Sequence, residues 1–504
     1  MTFSRILACL GLALFLSLAG CGGQPQVKGQ FVLACAAENA FLEPYLRRLA
    51  KDRGFELEIR YLTSQDLVQE LAKGNQAGAD AVLSASGEWI VLGDVASVVK
   101  DRTVVLEMPL ALGVRQGLAK DLGLSPQGLR ADELANLCAQ GKLRYVISSP
   151  SQSSMGLGIY LGLARAVAGN PQALTPAGLD QAAREKLRAV FSAVARSSGS
   201  HIWVKSLFET GDYPAMFNYR YQLALAGQDM AAEGQEPLAV VPVTDAAMSA
   251  QAVLGYVDKG LPEKRKLYEA VRDFLISSDM QSQLPGLGRV PAAGQAVRAW
   301  DRQALVEMVN LYQDDLRKPS ITVYVVELSA KMAGFAEREV KRVLGLAIDP
   351  ASAAGRFLQS GPRDQSYLVV YNDKVVKNWR LDNLSQEQLR DVLRHFDALP
   401  AQGKANPYTA LAEAQTILAR QPAGQALSSV ILIPYDGSVA PGKTLTQVKQ
   451  LWGGLRLEAP VMCLLFGEFP AVRLDEIAEA TRGRIFDGRG DLGKALFAAR
   501  SCND

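Results

Sequence analysis

Short runs of β-favouring, apolar residues alternate with amphipathic helical stretches from residue 31 almost to the end of the chain. This alternation is typical of α/β folds, in which helices cover the faces of a largely parallel sheet. In the first half, Asn39 and Ser64 stand where residues that cap helices are expected. The predicted strands there are 31–36, 56–62, 79–83, 104–114, 144–147 and 238–242, and the predicted helices run from 39 to 51, 67 to 73, 156 to 168 and 263 to 276.

The second half has the βα alternation of an open, doubly wound sheet. Residues 321–328 are apolar enough to form a central parallel strand that is buried on both faces. Residues 291–320 form a connector with one amphipathic helix, 300–316, which either packs against the first half or bridges the two halves. Further strands are predicted at 367–371, 430–433, 461–466 and 484–486, with helices at 387–399, 409–420, 445–452 and 474–481.

Charge and residue usage exclude several functions. The formal net charge is +2 without a basic run, which argues against nucleic-acid binding. The chain has two histidines and no C-x-x-C, so a zinc site or a histidine-based triad has little material, and we predict that the protein is not an enzyme. Two arrangements stay open for the later cysteines, one disulfide in each half or buried free thiols: Cys35, Cys138, Cys463 and Cys502.

The N-terminus predicts export. Arg5 precedes an apolar run, 6–18, that is short for a membrane span. The following Leu18-Ala19-Gly20-Cys21 resembles the lipobox of bacterial lipoproteins, although an ordinary secretory signal that contains a cysteine is the alternative. The resemblance implies a signal peptide over 1–20, acylation of Cys21 by palmitate-type chains and a flexible tether over 21–29. The protein is then held on the membrane of the cell envelope, facing the periplasm or the exterior.

Residues 30–293 resemble the periplasmic solute-binding protein fold, two α/β lobes around a cleft. The resemblance is carried in order by Asp80-Ala81-Val82-Leu83-Ser84-Ala85-Ser86, Tyr145-Val146-Ile147-Ser148-Ser149-Pro150 with Ser153-Ser154-Met155-Gly156, Tyr256-Val257-Asp258-Lys259-Gly260-Leu261 and Gly288-Arg289-Val290-Pro291-Ala292. Relatives that bind oxyanions hold them with hydroxyl groups and with N–H groups at helix N-termini. A small oxyanion or small acid is therefore the ligand that the resemblance implies.

The positions that match those donors are Asn39, Ser84, Ser86, Ser151, Ser153, Ser154, Tyr219 and Arg220. Arg220 would add a cationic fork suited to a carboxylate or phosphate. The competing interpretations are serines in plain turns and a solvated arginine at a strand edge. Trp89 is either a floor for the ligand or part of the core, and His201 belongs either to the cleft or to a lobe surface.

Residues 320–504 resemble a von Willebrand factor type A domain, a doubly wound, Rossmann-like fold. In that family a D-x-S-x-S motif, a threonine and an aspartate hold a divalent cation, and such oxygen ligands suit magnesium or manganese. The corresponding residues here are Glu327, Ser329, Thr409 and Asp436, with Lys331 in place of the second serine.

Lys331 argues against a bound metal. An ammonium at a ligand position repels a cation and neutralises nearby carboxylates. We therefore favour a degenerate site without a cofactor, in which the fold and an interaction surface are kept. A surviving magnesium or manganese site of altered geometry is the alternative.

Taken together, the chain resembles bacterial lipoproteins that join a substrate-binding domain, residues 30–293, through a helical connector, 294–319, to a von Willebrand A domain, 320–504. We expect a membrane-anchored, non-enzymatic protein that binds a small solute in its N-terminal cleft and contacts a protein partner through its C-terminal domain. The alternative is an adhesion or envelope-assembly scaffold whose solute cleft is vestigial.

Overall fold

A computed structural model describes residues 29–503 of the chain. The predicted signal peptide, Cys21 and the tether up to residue 28 lie outside these residues. The described chain forms two compact units. The first contains the chain up to Leu106, Ala252–Leu284 and Pro291–Val297, and the second contains Glu107–Gln251, Pro285–Val290 and the chain from Arg298 onward. Between residues 29 and 503, no helix has both the length and the apolar character needed to cross a membrane.

The first unit is built on a sheet in the order β2-β1-β3-β9. Strand β1 pairs in parallel with β2 and β3, and β9 runs antiparallel to β3. Strand β1 is buried on both faces after its first residue because helices cover the sheet. The elements are β1 (Gln30–Ala36), α1 (Glu43–Arg53), β2 (Glu56–Leu62), α2 (Ser64–Leu71), β3 (Ala81–Ser84), α3 (Gly87–Gly93), the start of β4 (Val99–Arg115), the end of β9 (Ser249–Val257), α10 (Pro262–Leu275) and α11 (Ser278–Gln283).

The second unit begins with a sheet in which β5 lies between the parallel strands β6 and β7, while β7 and β8 run antiparallel to β4. Its elements are the end of β4, α4 (Gln116–Asp121), α5 (Ala131–Ala139), β5 (Tyr145–Ser148), α6 (Ser154–Val167), α7 (Gln181–Ser192), β6 (Val194–Ser198), α8 (His201–Thr210), β7 (Ala215–Tyr219), α9 (Arg220–Ala232) and β8 (Leu238–Val241), followed later by β10 (Val290–Pro291).

The C-terminal part of the second unit is a six-stranded sheet in the order β13-β12-β11-β14-β15-β16. All strands are parallel except β13 at the edge. The predicted central strand is confirmed, because every residue of β11 is buried. The elements are α12 (Arg302–Leu311), β11 (Ser320–Glu327), α13 (Phe335–Ile348), α14 (Pro350–Ala354), β12 (Gln365–Tyr371), β13 (Val375–Arg380), α15 (Gln386–Ala398), α16 (Pro407–Ala419), β14 (Leu427–Ile433), α17 (Leu445–Gly453), β15 (Val461–Leu465), α18 (Ala471–Thr481), β16 (Arg484–Asp487) and α19 (Leu492–Arg500).

The connector packs against the part of the second unit that precedes it in the chain. Helix α12 continues into a π-helical turn, Tyr312–Leu316, and Tyr160 Oη donates a hydrogen bond of 2.9 Å to the Met308 carbonyl. Arg188 forms two hydrogen bonds with Asp315, at 2.8 and 2.7 Å. Asn310 of the connector also accepts a 3.1 Å hydrogen bond from Gln359, so the connector contacts both the preceding part of the second unit and its C-terminal part.

The structure corrects two predicted helix starts and settles the cysteine chemistry. Asn39 does not cap a helix but lies inside a 3-10 turn, Ala37–Leu42. Thr63, not Ser64, caps α2, since its hydroxyl accepts a hydrogen bond from the Asp66 amide. The four described cysteines are all buried free thiols: Cys35, Cys138, Cys463 and Cys502.

Candidate functional site

Three helices of the second unit begin where strands β5, β6 and β7 end. The strands are mutually parallel, so their carboxyl ends meet at one edge of the sheet. The N-termini of α6, α8 and α9 lie at this edge and carry positive partial charge, and Ser153 and Ser200 cap the first two. Such an edge favours an anionic ligand.

The serines predicted to bind ligand form a buried turn before α6. Ser153 caps this helix, since its hydroxyl accepts from the Gly156 amide at 3.0 Å and lies 2.5 Å from that of Ser148. The Ser151 hydroxyl lies 3.0 Å from that of Ser149 and accepts a 2.5 Å bond from Gln313 of the connector. Ser154 is fully buried in the first turn of α6. Ser151, Ser153 and Ser154 thus lie together in one turn, and Ser151 is hydrogen-bonded to the connector.

A buried arginine that the sequence prediction omitted lies beside α8 and α9. The guanidinium carbon of Arg289 is 4.0 Å from the ring centre of Tyr221, and the residue is only 9% exposed. Burial lowers the pKa of Arg289, an effect that Tyr221 and Tyr219 oppose. Gly288 permits this approach, because it has a φ of +69° and an added Cβ would lie 2.6 Å from the Tyr221 Cβ.

His201, which the sequence left unassigned, belongs to the same cluster. Its ring meets that of Tyr219 edge to face at 5.3 Å, and Tyr219 stacks on Tyr221 at 5.6 Å. Burial, together with the charge of Arg289, lowers the pKa of His201 to about 4. The imidazole is therefore neutral at pH 7, and the guanidinium supplies the positive charge at this place.

The two residues predicted together at the end of β7 have different environments. Tyr219 is fully buried in the aromatic cluster. Arg220 is exposed and lines an open groove with Lys120 and Val240. Within residues 29–503 it makes no hydrogen bond or ion pair. The structure therefore does not join Arg220 to the serine turn, and a solvated arginine describes it better.

The first unit places its predicted site residues after β1 and β3. Ser84 Oγ donates to the Ser86 carbonyl at 2.6 Å, and Ser86 Oγ donates to Glu88 at 2.5 Å. Asn39 Nδ2 donates to the Leu83 carbonyl at 3.3 Å. Two buried polar atoms there, Asn39 Oδ1 and Trp89 Nε1, have no hydrogen-bond partner among the described residues. Buried polar groups are normally satisfied, so these two atoms are candidates for contact with a polar ligand.

Comparison with known proteins identifies the family. The model of bacterial extracellular solute-binding proteins matches residues 31–284. The chain belongs to this family. Comparison with curated protein sequences gives no significant match.

Solved structures with partial similarity to this chain include three binding proteins. The periplasmic binding protein P5PA is 14% identical, with a TM-score of 0.44, over 57% of this chain and 100% of its own. AfuA from Actinobacillus pleuropneumoniae, with fructose-6-phosphate bound, is 13% identical, with a TM-score of 0.45, over 57% and 98%. The sulfate-binding protein SubI from Mycobacterium tuberculosis H37Rv is 16% identical, with a TM-score of 0.40, over 57% and 93%. The family assignment rests on the sequence model alone.

The C-terminal sheet of this solute-binding protein carries the predicted cation residues at its carboxyl edge. Glu327 is fully buried and accepts hydrogen bonds from Ser329 Oγ at 2.6 Å and from the backbone amides of Tyr435 and Asp436 at 2.9 and 3.0 Å. Burial raises the pKa of Glu327 even though these bonds lower it. Thr409 lies in the first turn of α16, and its amide donates to Asn406.

Lys331 occupies the place between the carboxylates at this edge. Its ammonium lies 3.1 Å from Asp436 Oδ1 and 3.1 Å from Glu468 Oε2. Burial acts to raise the pKa of Asp436, but hydrogen bonds from Ser438 and Lys331 hold it below its ordinary value. Within the described chain no three His, Cys, Asp or Glu residues are placed to hold a metal. The donor set does not fit a divalent cation, because both Glu327 oxygens already accept backbone N–H groups and an ammonium stands beside Asp436.

Proposed function

We propose that this solute-binding protein captures a small oxyanion or a small carboxylic acid outside the cytoplasm. The observation that carries the proposal is the buried guanidinium of Arg289 next to the N-termini of α8 and α9. Arg289 Nη1 donates to the Leu287 carbonyl, and the low exposure of the guanidinium strengthens its attraction for an anion, because water screens a buried charge only weakly. An anion at this edge would pair with the guanidinium and would also accept N–H bonds from the helix ends.

The ligand is tested by thermal unfolding of the chain that starts at Gly22, in the presence of sulfate, phosphate, molybdate, acetate, lactate and citrate. An anion that binds only the folded chain stabilises it by mass action and so raises the unfolding temperature. At an anion concentration of one hundred times the dissociation constant, the free energy of unfolding increases by about 2.7 kcal/mol. We expect at least one of these anions to raise the unfolding temperature of the wild type. We expect the same anion to leave the unfolding temperature of Arg289→Gln unchanged. Arg394→Gln, on the exposed face of α15, is the matched control and should leave the shift unchanged.

Two results would contradict anion capture. One is an anion shift that survives Arg289→Gln. The other is the absence of any shift across the panel, which would favour the scaffold alternative with a vestigial solute cleft. Ser153→Ala is a second probe, since it removes a hydroxyl at the N-terminus of α6.

We further propose that the protein is a lipoprotein anchored through Cys21 and that residues 320–504 form a von Willebrand A-like domain for a protein partner. The sheet order of five parallel strands with one antiparallel edge strand supports the domain proposal. Two large apolar residues stand out at its carboxyl edge, Phe335 at 72% exposure and Val472 at 65%, each in the first turn of a helix. Exposed apolar groups rimmed by charge are typical of protein contacts, and Lys331 and Glu468 supply that charge.

Anchoring and partner contact are tested in one experiment in the bacterium that makes the protein. With a photoreactive phenylalanine at position 335, we expect the chain in the membrane fraction and a crosslinked product after irradiation. Cys21→Ser should move the chain to the soluble fraction. The same photoreactive residue at Leu346, which is 40% exposed in the same domain, should give no product.

The metal-free interpretation is tested in the same samples. Crosslinking that persists in EDTA supports it, whereas loss of the product in EDTA and its recovery with manganese would overturn it. Equal crosslinking from positions 335 and 346 would contradict the proposed surface.

A further inference from the structure

The C-terminal domain contains a cavity of about 420 Å³ where β11 and β12 begin. This is the edge of the sheet opposite to Lys331, and none of the predicted solute-binding residues lines it. Ile348, Leu381, Leu384 and Leu389 form its apolar side. A cavity of this size is within the range of small-molecule sites, which combine apolar walls with a few polar groups.

One charge in the wall of this cavity has no ion-pair partner among residues 29–503. Arg500, at the end of α19, is 9% exposed; its Nη2 donates to Ser360 Oγ at 3.3 Å and its Nη1 to the Ala347 carbonyl. No carboxylate among residues 29–503 forms an ion pair with it. A buried guanidinium with only neutral partners is expensive, because a buried charge is normally paired.

The acidic groups of the wall do not neutralise Arg500, because each has an arginine of its own. Asp364 pairs with Arg317, and both side chains are almost fully buried. Asp382 pairs with Arg380 at 2.8 Å. Among the described residues, neither acidic group of the wall competes with an anion in the cavity for the charge of Arg500.

A neutral group in the same wall also lacks a partner. Gln359 Nε2 donates to Asn310 Oδ1 at 3.1 Å, but the buried Gln359 Oε1 has no hydrogen-bond partner among the described residues. A buried carbonyl oxygen needs a donor. A ligand that offers an O–H or N–H group beside its negative charge would supply one.

We propose that this cavity binds a small aliphatic carboxylate, and that a 2-hydroxy acid is the preferred form. The carboxylate accepts hydrogen bonds from Arg500 and Ser360, the hydroxyl donates to Gln359 Oε1, and the alkyl chain lies against Leu384 and Leu389. The site is independent of the solute-binding function proposed above.

Isothermal titration of the chain that starts at Gly22 with hexanoate and 2-hydroxyhexanoate tests this proposal. Hexylamine has the same chain with the opposite charge, and acetate has the charge without the chain. In the Arg289→Gln variant, which lacks the charge of the proposed solute site, we expect both hexanoates to bind and both controls to fail. One added hydrogen bond should tighten the hydroxy acid about fivefold, and Arg500→Gln should weaken both by at least about tenfold.

Variants separate this site from the solute site and from misfolding. Leu389→Trp fills the apolar side of the cavity and leaves the guanidinium of Arg500 intact, so it should block hexanoate binding. This variant tests whether hexanoate binds in the cavity even if Arg500→Gln does not fold. Arg289→Gln should retain hexanoate binding, and so should Arg394→Gln. The proposal is overturned if hexanoate does not bind, if hexylamine binds equally well, if Leu389→Trp leaves the affinity unchanged or if Arg289→Gln removes the binding.

Discussion

Asp364→Asn is expected to destabilise the second unit by about 3–5 kcal/mol, because it leaves Arg317 buried without its counter-charge. The two side chains are 4% and 3% exposed. Arg317 contacts both Asp364 oxygens, and the bond from its Nη1 is 3.1 Å long. The same carboxylate accepts the backbone amides of Ser320 and Gly361, each at 2.7 Å. One substitution therefore disturbs four hydrogen bonds at the start of β11.

The measurement is differential scanning calorimetry of the chain that starts at Gly22, with the transition of the second unit followed. Asp487→Asn is the matched control, since Asp487 pairs with Arg489 on the surface, where both side chains are more than half exposed. Solvent screens such a pair, so the control should leave the transition where it is. Adding Arg317→Met to Asp364→Asn should recover part of the loss, because no unpaired charge is then buried. Equal effects of Asp364→Asn and Asp487→Asn would contradict the prediction.

Apolar runs predicted only some of the strands, and β6, β7, β9 and β13 were missed. Residues 56–62 coincide with β2, and 321–328 differ from β11 by one residue at each end. Strand β11 is buried along its whole length and is therefore visible as an apolar run, which is a local property of the sequence. Strand β2 lies at the edge of its sheet and has no buried residue, but its apolar residues recur often enough to be recognised. Strand β13 was missed because it also lies at an edge without a buried residue and mixes polar with apolar side chains.

Only those residues of the candidate site that are neighbours in the sequence were predicted. The serines before α6 come together because one turn holds them, and the capping role of Ser153 follows from its position. Arg289 reaches the site through a contact with Tyr221, a residue far away in the sequence. No spacing rule indicates such a contact. The same limit applies to the cavity at Arg500, whose walls come from four helices, from strands β11 and β12 and from loops.

The N-terminal cap of α2 could not be assigned from the sequence, because two neighbouring residues are suitable. Thr63 and Ser64 are both good capping residues, and the sequence alone does not choose between them. The structure uses Thr63, whose hydroxyl accepts from the Asp66 amide at 3.1 Å, and places Ser64 inside α2. Asn39 was predicted as a cap for the same reason, but its amide donates to the neighbouring strand instead.

His201 is expected to make the protein lose about 3 kcal/mol of folding stability as the pH falls from 7 to 4. Its pKa is lowered to about 4 in the folded chain, by burial first and by Arg289 second, from an ordinary value of 6.5. Between these values the unfolded chain binds the proton and the folded chain does not. This contribution is therefore complete above pH 6.5 and is lost as the pH falls through 4.

Urea unfolding at several pH values, compared between the wild type and His201→Phe, measures this contribution. The phenyl ring keeps the contact with Tyr219 but binds no proton. Carboxylates titrate over the same range in both proteins, so their effect cancels in the difference between the two stabilities. That difference should shift in favour of His201→Phe by about 3 kcal/mol between pH 7 and pH 4.

Adding Arg289→Gln to the wild type should weaken the pH dependence, since the charge of Arg289 is the second cause of the lowered pKa. A stability difference between the wild type and His201→Phe that does not change with pH would show that His201 is accessible to protons in the folded protein. Such a result would contradict the buried position of His201 beside Tyr219 and Arg289.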